Sequence, residues 1–235
     1  TLERSEVTTR FPISRLALLC LAVVLVSYGG VKVEALRTTL FVSAGLTCLI
    51  WFFWRDGRAG ADRLLPYAPL DPRHATGATL LMLLMLPMAT VAITAYGPLL
   101  MTAVHNISAL TAGYIVACSS IGWTLAAVTV SGSPERYDRM WIAAGMCVTS
   151  LSIGGFVYAV PAGPIWLIAI CALAEGAGFG MAYTFILRRI TALAPEDEMQ
   201  RITGAIPTVQ RIGYALGAAY IGIIANSSGF LTMQT

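Results

Sequence analysis

Residues 163–187 read GPIWLIAICALAEGAGFGMAYTFIL, a long apolar run with one acidic or basic residue, Glu175. About 20 mostly apolar residues cross the hydrocarbon of a bilayer as a helix. The run lacks the period-two alternation of a barrel strand. Lipid cannot satisfy an open sheet edge, so a helix is the remaining solution. Six more runs of this kind bring the expected spans to seven, at roughly 12–31, 36–54, 76–103, 108–131, 140–160, 163–187 and 202–225. The expected fold class is an all-α, polytopic membrane helical bundle. Pro87, Pro98 and Pro207 fall inside these runs and are expected to kink their helices.

Composition agrees. Hydrophobic residues make up 57% of the 235 and charged residues 11%, where a soluble domain carries roughly 45–50% and about 25%. So few charges could not cover a soluble fold. The net charge of +3 does not point to nucleic acid, because the basic residues form short clusters between apolar runs and no basic stripe. The five cysteines fall in different runs with no metal or disulfide spacing, and read as small apolar fillers. His74 and His105 are placed in loops and form no metal cluster. There is no nucleophile–base set and no Walker motif, so neither an enzyme nor an ATP-driven pump is expected, and no cofactor.

The basic residues orient the spans. One side receives Arg4, Arg10 and Arg15, then Arg55, Arg58, Arg63 and Arg73, then Arg136 and Arg139, then Arg188, Arg189 and Arg201. The other receives Lys32 and Arg37. The N-terminus is therefore expected in the cytoplasm of a cell (plasma or inner) membrane. That orientation, and the lack of a lysine in any late span, argue against a receptor or a retinal protein. The opening TLERSEVTTR is polar and mixes both signs, unlike a signal peptide. An odd span count is unusual for carriers built from paired repeats, and with the Thr1 start it leads to the expectation of a piece of a longer protein.

Several segments carry a likeness to a known family. They are LTAGYIVACSSIGW at 110–123, GSPERYDRM at 132–140, EGAGFGMAY at 175–183 and QRIGYALGAAYIG at 210–222. In this order the chain resembles the major facilitator superfamily, and most of all its 14-span drug:proton antiporter branch. In the loop motif Asp138 stands where the family has glycine, beside Glu135, Arg136 and Arg139. The resemblance implies a partial major facilitator fold. It divides the chain into a cytoplasmic tail at 1–11, two linker helices at 12–54, a cytoplasmic loop at 55–75, five helices of the C-terminal half at 76–225 and an outer tail at 226–235. It also implies a missing N-terminal half as partner, and a loop motif that latches or gates.

Glu175 is the first functional candidate. It lies near mid-span, roughly 18 Å from either end at about 1.5 Å per residue. An ionisable group there marks a pathway, a proton relay or a structural charge pair. Arg211, at a similar depth in the seventh span, either pairs with Glu175 or faces the missing half. Gly176, Gly178 and Gly180, and Gly213 and Gly217, supply small faces for close packing or for a moving interface. Thr90, Thr94, Tyr96, Tyr183 and Gln210 are candidates for a substrate cavity, although threonines also bond their own helix carbonyls. Trp51, Trp54 and Trp141 suit interface anchors. The leading functional expectation is proton-coupled efflux of hydrophobic or amphipathic compounds by alternating access, with lipid, protons and a small molecule as partners. Metabolite transport by the same fold and a non-transporting scaffold are the alternatives.

Overall fold

The computed structural model describes residues 12–30 and 34–227. They fold as seven α-helices: α1 Ile13–Gly29, α2 Ala35–Gly57, α3 Ala75–His105, α4 Ala109–Val130, α5 Asp138–Ala162, α6 Ile165–Leu193 and α7 Met199–Ser227. Single 3₁₀ turns at Gly60–Asp62 and Glu135–Tyr137 sit in two connections. The expected tail at 1–11, most of that at 226–235, and Lys32 lie outside the described residues.

The chain is an all-α, multi-pass membrane bundle. Of the seven expected spans, five are long and apolar enough to cross a membrane: Leu36–Gly57, Ala75–His105, Ala109–Val130, Glu135–Ala162 and Ile165–Leu193. Helix α1 is apolar but has 17 residues, about 26 Å at about 1.5 Å each, against about 30 Å of hydrocarbon. Helix α7 has 29 residues, but Thr203, Thr208, Gln210 and Arg211 dilute its apolar character. Several helices also outrun the apolar runs that announced them. Helix α2 continues through Arg55 and Asp56, and α6 through Arg188 and Arg189. Charge ends an apolar run, whereas arginine remains a good helix former. Helix α3 ends at Asn106, whose φ of 53° is left-handed, a conformation asparagine tolerates. His105 belongs to the last turn of α3 and not to a loop, and its Nε2 donates to the Val160 carbonyl at 2.7 Å. Pro87 and Pro98 lie inside α3, and Pro207 inside α7.

Helix α6 is the centre of the bundle, packed against α4 and α5 and more lightly against α3. Helix α3 packs on α7, and the α1–α2 hairpin reaches the bundle through α1 on α7. Glycines set these distances. A Cβ on Gly176 would fall on the Ser119 carbonyl, and one on Gly180 on the Trp123 carbonyl, both in α4. Gly178 faces α5, where a Cβ would stand 2.6 Å from the Gly145 carbonyl oxygen. Gly213 and Gly217 face the Leu84 and Met88 carbonyls of α3. Backbones that approach this closely gain dispersion contact that lipid does not offer. Trp141 departs from the expected anchor role: it is half-buried and stacks on the buried Phe185 with centroids 6.1 Å apart. Trp51 and Trp54 are exposed.

Charges close one end of the bundle. Arg15 Nη1 lies 2.7 Å from Asp56 Oδ1, tying the start of α1 to the end of α2. The Asp56 carboxylate also accepts the backbone N–H groups of Leu64 and Leu65, each at 2.9 Å. Arg63 reaches Glu198, ahead of α7, at 3.3 Å.

Two predictions follow from this packing. Gly180→Val is expected to lower stability by about 1–3 kcal/mol through overpacking. Gly154→Ala, where a Cβ meets open space, should be neutral or gain up to about 1 kcal/mol. Thermal melts in detergent compare them, and equal melts for the two variants would contradict the assigned contacts. Asp56→Ala strands a buried arginine and two N–H groups. A loss of about 3–5 kcal/mol is expected in denaturant unfolding. A wild-type unfolding midpoint would show that the clasp is dispensable.

Candidate functional site

Glu175 lies in the middle of α6 and is 3% exposed. Its backbone is carried toward α4 by Gly176, whose missing side chain makes room for the Ser119 carbonyl. The same approach brings the Ser119 hydroxyl to Glu175 Oε2, to which it donates at 2.6 Å. No ion pair holds Glu175 among the described residues; the ion pairs there lie elsewhere. Removing a proton leaves a charge held by one hydroxyl, and adding it leaves a neutral carboxyl. The site therefore has two electrically distinct states.

Glu175 opens onto a cavity of about 520 Å³ between α3, α4, α6 and α7. Of the residues expected from sequence, Thr90, Thr94, Tyr183, Gln210 and Arg211 line it with Glu175. The volume lies within the usual range of small-molecule sites, roughly 300–1,000 Å³. Thr90 and Thr94 do both things expected of them. Each hydroxyl donates to its own helix, to the Leu86 and Val91 carbonyls at 3.0 Å, which leaves acceptor lone pairs for the cavity. Arg211 faces the same space as Glu175 but forms no pair with it. Tyr96 lies apart from the lining, with its hydroxyl against Gly222 of α7.

Sequence reasoning missed Ser119, Ser120, Trp123, Phe179, Pro207 and Tyr214, which complete the wall. The adjacent serines inside the apolar run of α4 were the available signal. Serine in a membrane helix ordinarily bonds its own backbone, so the signal was weak. A second, apolar cavity of about 340 Å³ lies between α3 and α5. Thr90 and Glu175 line both cavities and form the partition between them.

The loop residues separate in space. Asp138 is buried at the first turn of α5 and is bound by Arg188 of α6. Arg188 also donates to the Ser133 carbonyl at 2.9 Å. Glu135, Arg136 and Arg139 are exposed, and the Arg136 guanidinium lies 4.8 Å from the Tyr137 ring centre. The aspartate at the glycine position of the motif thus joins α5 to α6.

Two curated relatives, both described as probable multidrug-efflux transporters, come from the CDC 1551 and H37Rv strains of Mycobacterium tuberculosis. Each is 26% identical over 232 residues, 94% of this chain and 48% of the relative. The chain thus spans about half the length of the curated relatives it matches. No solved structure matches it. A family model described as the Major Facilitator Superfamily matches residues 8–218, and with a helical bundle around a buried carboxylate to go with it, this chain belongs to that superfamily.

Proposed function

We propose that this chain is part of a secondary transporter that exports hydrophobic or amphipathic compounds in exchange for protons. The observation that carries the reading is Glu175: a buried carboxyl with a hydroxyl partner and no ion pair among the described residues, on the wall of a cavity large enough for a small molecule. Proton binding there changes the charge of the cavity wall, and substrate binding in the same cavity responds to that charge. Linkage of this kind makes each ligand alter the affinity of the other by the same factor. The efflux description of the two relatives supports the direction of transport.

In this reading all seven helices span the membrane, with the N-terminus in the cytoplasm. Helices α1 and α2 are the linker pair of a 14-span carrier, and α3 to α7 belong to its C-terminal half. An N-terminal half supplies the opposite wall of the cavity. Alternating access rocks the two halves about it. The Asp138–Arg188 pair keeps α5 and α6 moving as one piece.

Glu175→Gln tests the coupling, because it keeps an acceptor for Ser119 and removes the titrating group. In liposomes holding the full-length transporter, proton-driven uptake of a fluorescent amphipathic dye is expected to collapse. Dye exchange without a gradient should persist. Coupling between linked sites commonly amounts to about 5–150-fold, so the loss is measurable. Proton-driven uptake at the wild-type level in Glu175→Gln would remove Glu175 from the mechanism.

A further inference from the structure

Arg211 stands on a boundary. On one side is the polar cavity with Glu175; on the other is an apolar groove of about 410 Å³ between α1 and α7. Leu19, Val23 and Val24 of α1 and Ile212 of α7 line the groove. Pro207 and Arg211 line both spaces. Arg211 is exposed and makes no hydrogen bond or ion pair with any described residue. It lies on the order of 18 Å along α7 at about 1.5 Å per residue.

A guanidinium at that depth needs an acceptor, because a lone charge is costly away from water. Its planar fork of donors matches a carboxylate. The groove on its α1 side is almost wholly apolar, and the groove volume is at the small end of the range for ligand sites, roughly 300–1,000 Å³. A ligand that satisfies both demands carries one anionic head and one apolar chain. We infer that the α1–α7 groove binds a single-chain anionic amphiphile, a fatty-acid carboxylate taken from the bilayer, with its head on Arg211 and its chain against α1. Such a site holds its ligand whether or not the chain couples transport to protons. It also lies beside the polar cavity, with which it shares Arg211 and Pro207.

The test is photolabelling of the full-length protein in phosphatidylcholine nanodiscs with a diazirine-bearing palmitic acid. Mass spectrometry then locates the adducts. Adducts are expected within residues 19–24 and 207–212, competed by oleate but not by oleylamine. In Arg211→Gln they should fall about tenfold, as for the loss of one charge-assisted contact. Arg211→Lys should retain most of them. Val24→Trp, which fills the groove and leaves the arginine, should lose them, so the inference survives a folding failure of Arg211→Gln. Labelling spread over all helices, equal competition by oleylamine or phosphatidylglycerol, or no adducts because another part of the protein seats a carboxylate on Arg211, would each overturn it.

Discussion

The Ser119 carbonyl of α4 occupies the place where any other residue at position 176 of α6 would carry its Cβ. The rest of the site depends on that contact. It brings two helix backbones close enough for the Ser119 hydroxyl to reach Glu175. It also sets the wall from which Ser120 and Trp123 face the cavity. Between membrane helices there is little hydrophobic gain to spend, because lipid tails are as apolar as the side chains they would replace. Close packing and hydrogen bonds must hold the helices, and small residues supply both. Gly178 and Gly145 do the same on the other side of α6, and Gly213 and Gly217 repeat it between α7 and α3.

How much of this could be read in the chain depended on the range of each interaction. Helix length and apolar character are local, and the helices fall where the runs predicted, apart from the charged ends of α2 and α6. Glu175 was legible because it is the one acidic or basic residue in its run. The gathering of Thr90, Thr94, Tyr183, Gln210 and Arg211 around it was expected in kind but not in geometry. Partners far apart in the chain were not legible. Arg15 read as a topology charge and Asp56 was not singled out, yet they meet at 2.7 Å. Asp138 read as a loop charge and is buried against Arg188. Trp141 read as an anchor because it sits near a span end, but the core position of Phe185 claims it. The shortness of α1 was not legible either: its apolar run extends over roughly 12–31, whereas the helix is Ile13–Gly29.

The two cavities that meet at Thr90 and Glu175 differ in character. One is lined by serines, an arginine and tyrosines, the other almost wholly by aliphatic and aromatic groups. Glu175 is therefore placed at a step in polarity. A charge formed there is drawn to the polar side and a neutral carboxyl tolerates either. The groove behind Arg211 adds a third compartment open toward α1. The bundle offers a graded set of environments, from hydrocarbon to polar, within the width of two helices.

The clasp at Asp56 has a bearing on biosynthesis. Its partners are Arg15, Leu64 and Leu65, all of which have been synthesised by the time residue 65 is added. The α1–α2 hairpin can thus be closed at its base before α3 exists, and it needs nothing from the later helices to satisfy its buried charges. The Arg63–Glu198 contact is different, because Glu198 is made only after α6. Chains fold from the N-terminus as they emerge, so the base of the hairpin can close first, and the packing of α1 on α7 and the Arg63–Glu198 contact can form only once Glu198 and α7 have been made.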